Sequence, residues 1–223
     1  IDSLTMHTFV TGTTGSGKSN TIYGLVDTLC CTRENIHFLI IEPAKGEYKN
    51  VFGNRSDVTV YGTNPYISEM LRINPFRFNN QIHVLEHIDQ LIGLFNVCWP
   101  MEAAMPAVLK QSIEKAYENA GWNLQTSINS ISATLFPDFQ DVMNEVEKFI
   151  EQSDYSAENK GNYKGALCTR LSELTSGLNG MMFVSDEIED EKLFDSNAIV
   201  DLSRVSSFET KSLIMGLLIV RLQ

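Results

Sequence analysis

The sequence predicts an α/β protein with a mainly parallel sheet and an inserted helical bundle. In its first 31 residues, a β-prone run leads directly into a glycine-rich loop and then into a helical pattern. Residues 36–41 (Ile-His-Phe-Leu-Ile-Ile) are almost continuously apolar, which is typical of a strand covered on both faces in a parallel sheet. The bundle is predicted by successive amphipathic helical patterns between residues 80 and 180.

The first part of the chain, residues 1–78, has the pattern of alternating strands and helices. Residues 7–11 (His-Thr-Phe-Val-Thr) predict a strand, and residues 18–31 predict a helix with a core-facing side. That side carries Ile22, Leu25, Val26 and Leu29. Further extended segments are expected at residues 36–41, 58–61 and 71–76.

Residues 79–180 predict a helical insertion between the core segments 1–78 and 181–223. Apolar residues step by three or four positions through four segments, and the proline and glycine residues that commonly begin and end helices mark their limits. These residues are Pro106, Gly121, Pro137 and Gly180.

The last part of the chain returns to strand character at residues 181–185 and 198–202. Ser206 and Glu209 have the spacing of a capping box in front of a final apolar helix. The acidic run at residues 186–195 lacks the alternating order of a calcium loop, and we interpret it as a solvated hairpin tip.

Composition excludes several classes of protein. The chain has 223 residues, of which 43% are hydrophobic and 20% charged, which excludes a disordered or collagen-like protein. The net charge is −11, and residues 1–78 carry seven acidic and seven basic side chains, so the excess of acid lies in the remainder. A uniformly basic nucleic-acid surface is therefore not expected, whereas a local basic rim on the first part stays possible.

Localisation follows from several absences in the sequence. The longest apolar stretch, residues 213–220, is shorter than the ~20 residues of a membrane-spanning helix. The four cysteines have neither metal-site nor disulfide-framework spacing, and no leader precedes the first segment. We therefore expect a cytoplasmic protein without a membrane span, and the start at Ile1 suggests a fragment of a longer chain.

Residues 12–19 carry the motif with the clearest chemistry, a full match to G-x-x-x-x-G-K-[ST]. Glycines let consecutive main-chain N–H groups turn toward a phosphate, and the following helix adds its positive end. Lys18 supplies a cation to the β- and γ-phosphates, and the Ser19 hydroxyl can ligate Mg²⁺. The predicted phosphate-binding residues are Gly12, Thr13, Thr14, Gly15, Ser16, Gly17, Lys18 and Ser19.

The nucleotide is expected to be ATP, by elimination. The guanine-reading pattern N-K-x-D has its nearest counterpart at residues 159–162, where Asn162 replaces the required aspartate. Three acids are candidates for catalysis. Glu42 follows the apolar strand, Glu47 lies in a Gly-Glu-Tyr segment, and Asp201 ends a hydrophobic run in the form of a Walker B strand.

Three segments together carry a family resemblance: residues 10–21 (V-T-G-T-T-G-S-G-K-S-N-T), 40–48 (I-I-E-P-A-K-G-E-Y) and 199–203 (I-V-D-L-S). They resemble the HerA/FtsK superfamily, specifically HerA-type DNA-translocating ATPases, with VirB-class type IV secretion ATPases as close relatives. The resemblance implies a RecA-like P-loop NTPase core, ATP with Mg²⁺, a homo-hexameric ring and work on double-stranded DNA, often beside a nuclease. It extends the nucleotide-binding set to Asn20.

The resemblance also implies roles for the acids. Glu42 falls on an acid that the family usually writes as Asp, whereas Asp201 lies before the position of the family's true Walker B strand. We therefore expect this chain to bind nucleotide and to turn it over slowly or not at all, as part of a DNA translocase that hydrolyses ATP. The arginine expected to act in trans has no clear counterpart, although Arg170 and Arg204 are available.

Two other functions stay open. The chain could be a P-loop phosphotransferase whose bundle covers an acceptor, or a non-catalytic module in which ATP holds a secretion or defence complex together. If DNA passes through a ring, the loops that carry Lys45, Lys49 and Arg55 are expected to line it.

Overall fold

The structure is a computed structural model that describes residues 7–32, 36–79 and 81–222. The strands are β1 (Leu39–Glu42), β2 (Val58–Gly62), β3 (Glu69–Met70), β4 (Trp122–Asn123), β5 (Ile128–Asn129) and β6 (Asn197–Asp201). The helices are α1 (Lys18–Thr32), α2 (Tyr48–Phe52), α3 (Val84–Cys98), α4 (Met105–Asn119), α5 (Phe139–Gln152), α6 (Ala157–Thr175), α7 (Gly177–Met182), α8 (Asp190–Phe194) and α9 (Phe208–Leu222).

The main sheet has four parallel strands in the order β1-β6-β2-β3. β6 lies between β1 and β2 and buries Ala198, Ile199 and Val200 completely. The predicted α/β class with a parallel sheet is therefore confirmed. Because the strands are parallel, the carboxyl ends of β1, β6 and β2 meet at one edge of the sheet.

Helices α3 to α6 confirm the four predicted helical segments. Their apolar faces share one hydrophobic core with the sheet, in which Tyr61 and Val200 of the strands join Phe95 of α3 and Val146 of α5. Asp138 begins α5 with a capping box. The division of the chain at residues 79 and 180 into core and insertion stays a prediction.

Two predicted strands are wrong. Residues 7–13 have no regular secondary structure, and Phe9 is exposed. A β-prone run becomes a strand only beside a partner strand, and no described strand pairs with this one. Residues 177–182 form α7, and Phe183 makes only an isolated bridge with Ile73. The buried Met182 fits the periodicity of a helix as well as that of a strand, so the short apolar run did not distinguish between them.

The predicted capping box and hairpin tip near the end of the chain are also wrong. The Ser207 hydroxyl accepts from the main-chain N–H of Thr210 at 3.1 Å, so the cap lies one residue beyond Ser206. The acidic run contains α8, and Glu187 is a buried partner of Arg77 and Arg221. These arginines approach from distant parts of the sequence and neutralise a carboxylate that the local charge pattern assigned to solvent.

No helix in the described ranges combines the length and the apolar character that crossing a bilayer requires.

Candidate nucleotide site at the carboxyl edge of the sheet

The glycine-rich loop at residues 12–17 leads into α1, which begins at Lys18. Gly15 and Gly17 have φ values of +81° and +90°, a region that side chains with a Cβ rarely adopt. Lys18 folds back over this loop, and its Nζ donates to the carbonyl oxygens of Gly12 at 2.8 Å and Thr13 at 2.7 Å. The ammonium group is thus held inside the bend by weak neutral acceptors.

The loop fits a phosphate group on the donors it offers. Ser16 N–H donates to Thr13 at 3.2 Å, whereas the main-chain N–H groups of Thr14, Gly15 and Gly17 donate to no described residue. The first N–H groups of α1 also lack helical partners, as in every helix, and they carry the positive end of its dipole. An anion in this bend would satisfy these donors and attract the Lys18 ammonium.

The predicted acids Glu42 and Asp201 are neighbours at the carboxyl edge. They are directly opposite each other in the parallel register of β1 and β6. Both side chains are buried, so each needs a hydrogen-bonding partner to remain charged. The structure supplies different partners to each.

Glu42 holds the start of α2. Its Oε1 accepts from the main-chain N–H of Glu47 at 2.8 Å, and its Oε2 accepts from Tyr48 at 3.0 Å. These are donors at a helix N-terminus that otherwise has no side-chain cap. A carboxylate at that end is favourable both as an acceptor and as a charge. Glu42 thereby fixes the position of the Gly-Glu-Tyr segment.

Asp201 is held by Lys49 and by the chain that follows it. Lys49 Nζ lies 2.6 Å from Oδ2, and the Ser203 N–H donates to Oδ1 at 2.9 Å. Burial raises the pKa of Asp201, but the hydrogen bonds from Lys49 and Ser203 outweigh it and hold that pKa below the usual 3.8. Gly46, at φ +65°, packs against this group; a Cβ there would lie 3.0 Å from Ser203 Oγ.

Tyr23 connects the loop with the acids, and sequence reasoning missed it. It lies one helical turn after Ser19, and the side chains of Ser19 and Glu47 are close enough to its hydroxyl to shift its pKa. Burial raises the pKa of Tyr23, and the nearby carboxylates of Glu47 and Glu42 raise it further. The ring packs edge-on against Tyr48, with centroids 5.0 Å apart. The i, i+4 spacing from Ser19 was the available signal.

The arrangement brings most predicted site residues together. Ser19, Glu42 and Glu47 surround Tyr23, and Asp201 lies beside Glu42 on the next strand. Thr13, Thr14, Ser16 and Asn20 are exposed on the loop and the first turn of α1. The three basic residues expected to face DNA have acidic neighbours instead: Lys45 lies 3.5 Å from Glu47, Lys49 binds Asp201, and Arg55 contacts Asp27 and Asp57.

The oxygen atoms near the loop fit a hard divalent cation whose remaining ligands are phosphate and water. Hydroxyl and carboxylate oxygens suit Mg²⁺, which commonly takes only one or two protein ligands beside phosphate and water. Ser19 and Glu47 both approach Tyr23 and offer such oxygens. Across residues 7–32, 36–79 and 81–222 there is no cluster of three or more side chains able to hold a metal unaided.

Comparisons with known proteins agree with this geometry. The family described as helicase HerA, central domain, matches residues 1–222. No curated protein matches the chain. Among solved structures, VirB4 of Thermoanaerobacter pseudethanolicus aligns with a TM-score of 0.63 at 20% sequence identity, over 93% of this chain and 53% of that chain.

The chain therefore spans about half of the VirB4 chain, 53% of its length, and the low identity makes that likeness one of fold. The parallel sheet, the glycine loop before α1 and the family match over nearly the whole sequence agree with one another. The chain belongs to the helicase HerA central domain family, and its fold is that of a P-loop ATPase of the HerA/VirB4 type.

Proposed function

We propose that this chain is the nucleotide-binding part of an ATP-driven motor that acts on DNA. The observation that carries the proposal is the bend at residues 12–17. Its glycines have positive φ, main-chain donors of Thr14, Gly15 and Gly17 have no described partner, and Lys18 is folded over it. A triphosphate is an anion that satisfies these donors together.

Different groups of the loop and of α1 would bind the phosphates and the Mg²⁺ ion. The main-chain N–H groups of residues 12–20 would bind phosphate oxygens, and Lys18 would exchange its two carbonyl partners for the β- and γ-phosphates. Ser19 would hold Mg²⁺, which supplies charge neutralisation at the phosphates when it is bound. Tyr23 would fix the Ser19 hydroxyl through its own hydroxyl.

The three acids are then unequal candidates for catalysis. The carboxylates of Glu42 and Asp201 are both buried and fully engaged, by α2 and by Lys49 respectively. Glu47 is half-exposed and lies near Tyr23, whose hydroxyl is also near Ser19. We therefore assign Glu47 the role of orienting water near the phosphates, with Glu42 and Asp201 positioning the segment that carries it.

DNA as the partner is supported by the family description, which names a helicase. Assembly into a homo-hexameric ring and cooperation with a nuclease are further parts of the proposal. They follow from the resemblance of the P-loop, Gly-Glu-Tyr and Ile-Val-Asp segments to HerA-type translocases.

The decisive experiment is calorimetric titration of the 223-residue chain with ATP and Mg²⁺. Lys18→Ala is expected to weaken binding by about 10- to 100-fold, because a charge-assisted hydrogen bond to phosphate is lost. Lys160→Ala is the matched control, since Lys160 is a lysine that also donates to a carbonyl oxygen, far from the loop in sequence. Equal affinity in the wild-type and Lys18→Ala chains would refute the proposal.

Measuring ATP turnover distinguishes an ATPase from the two alternative functions. We expect slow hydrolysis that DNA stimulates. Transfer of phosphate to a small acceptor without stimulation by DNA would instead indicate a phosphotransferase. Nucleotide-dependent assembly without any turnover would indicate a structural module.

A further inference from the structure

A second polar cleft opens at the same edge of the sheet as the nucleotide site. It has a volume of about 250 Å³ and lies between the end of β2 and the start of α9. We refer to it as the α9 cleft. The polar residues that matter to its chemistry are Thr63, Arg204, Ser206, Ser207 and Thr210. None of them belongs to the nucleotide site.

Two threonine hydroxyls in the α9 cleft have no partner among the described residues. Thr63 and Thr210 are 8% and 5% exposed, and both line the cleft. The hydrogen bonds described around them involve the Thr210 main chain, not either hydroxyl. Both hydroxyls are open to the cleft, where they can hydrogen-bond to a group that binds there.

Arg204 supplies a positive charge to the same cleft. It is exposed and, unlike Lys49 or Arg55, makes no ion pair or hydrogen bond with a described residue. The Lys211 side chain, in the first turn of α9, also has no such partner within the described ranges, although its main-chain N–H donates to Ser207. The nearby carboxylate of Glu209 is engaged by the Ser207 hydroxyl at 3.0 Å. The two cations therefore exceed the one acid at this end of α9.

Exposed aromatic rings flank the cleft in the sequence. Tyr66 follows Thr63 by three residues and is 97% exposed, and Phe208 follows Ser207 and is 77% exposed. The turn that presents Tyr66 is ordered by Asn64, whose Oδ1 accepts from the Tyr66 N–H at 3.0 Å. Hydroxyls and a cation for a phosphate, beside aromatic faces for unpaired bases, match the chemistry of a nucleic-acid strand.

We propose that the α9 cleft binds a phosphodiester group of a single-stranded nucleic acid. Arg204 and the hydroxyls of Thr63 and Thr210 hold the phosphate oxygens, and Tyr66 and Phe208 stack on adjacent bases. This inference rests on the proposed function for DNA as the partner, but it uses residues separate from the nucleotide site. It also places the contact away from Lys45, Lys49 and Arg55.

The test is fluorescence anisotropy of the full 223-residue chain with a short labelled oligothymidylate, titrated at several salt concentrations. Arg204→Gln is expected to weaken binding about tenfold and to reduce the slope of log affinity against log salt by about 0.7, the value for one phosphate contact on a single strand. Thr63→Val and Thr210→Val remove the hydroxyls at nearly constant volume and should each weaken binding severalfold. Tyr66→Ala should weaken it further by loss of stacking.

Arg72→Gln is the matched control, because it removes the same charge from a half-exposed arginine that is paired with Asp186. Equal effects of Arg204→Gln and Arg72→Gln would overturn the inference. Equal binding of a duplex, or competition by inorganic phosphate with no effect of Tyr66→Ala, would overturn the assignment of a single strand.

ATP binding, measured on the same chains, separates the two proposals. Arg204→Gln should leave it unchanged. Oligonucleotide binding without ATP binding would refute the proposed function alone, and ATP binding without oligonucleotide binding would refute this inference alone.

Discussion

Lys49 of α2 and Asp201 of β6 form an ion pair across the carboxyl edge of the sheet, with 2.6 Å between Nζ and Oδ2. The side chain of Asp201 is 6% exposed and that of Lys49 is 24% exposed. Together with the bonds from Glu42 to the start of α2, this pair holds the Gly-Glu-Tyr segment between α1 and the sheet. The position of Glu47 near the nucleotide site therefore depends on residues that do not themselves reach the loop.

Replacing Lys49 with methionine is expected to lower the free energy of unfolding by about 3 kcal/mol, because it leaves a buried carboxylate without its cation. Urea denaturation measures the change. Lys110→Met is the control, since Lys110 pairs with Asp89 at the surface, where such pairs contribute at most about 1 kcal/mol. Equal losses in both variants would contradict the buried role of the Lys49 pair.

The same pair makes stability sensitive to acid. The pKa of Asp201 in the folded protein lies below the usual 3.8, because hydrogen bonds from Lys49 and Ser203 outweigh the effect of burial. Its contribution is therefore fully present above the unfolded pKa and is lost as the pH falls through the folded value. Asp201→Asn should remove this part of the pH dependence of unfolding below about pH 4.

His87 provides a second titration at higher pH. It is buried on α3, and its Nε2 lies 3.1 Å from the carbonyl oxygen of Pro75. Burial, together with the charge on Arg221, lowers the pKa of His87 from 6.5 to about 4, although the hydrogen bond with the Pro75 carbonyl opposes the shift. Because the unfolded chain binds this proton more tightly, stability should fall by about 3 kcal/mol as the pH drops from 6.5 toward 4.

Chemical denaturation across that pH range checks the effect of His87. His87→Gln should flatten the profile, whereas the exposed His7→Gln should leave it as in the wild type. An unchanged slope in His87→Gln would show that other groups carry the transition.

Tyr23→Phe removes the hydroxyl that lies near the side chains of Ser19 and Glu47. The ring can keep its contacts with Tyr48 and Phe52, so the fold should be retained. Loss of one hydrogen-bonding group predicts a decrease of about fivefold in ATP affinity with Mg²⁺, and little change without it. Calorimetry with and without Mg²⁺ measures both values. Tyr66→Phe serves as the control, and a similar loss there would argue against a specific role of Tyr23.

Glu42→Gln tests the capping of α2. The substitution keeps an acceptor but removes the charge at the helix N-terminus, which should cost about 1–2 kcal/mol of stability. Hydrogen exchange at the Glu47 and Tyr48 amides should become faster. Glu69→Gln, at the exposed position of β3, is the comparison variant and should leave these amides protected.

Local patterns in the sequence predicted the elements that depend on nearest neighbours along the chain. The glycine spacing and Lys18 predicted the loop before α1, and the apolar run before Glu42 predicted a strand of a parallel sheet. The assignments at residues 7–11, 181–185 and 186–195 were wrong because each rests on a short run that does not fix its own structure. Short β-prone and acidic runs acquire their structure from distant partners, such as Arg221 for Glu187.

The sequence by itself determined the class of fold and the presence of a phosphate-binding loop. Both depend on the spacing of glycine, lysine and apolar residues that are close together in the chain. Only the tertiary structure decided which partners the acids Glu42 and Asp201 have. Lys49 and Asp201 are 152 residues apart, and Glu42 meets Asp201 through strand register. Such partners are chosen by packing and by the cost of burying an unpaired charge, and neither quantity is encoded in local spacing.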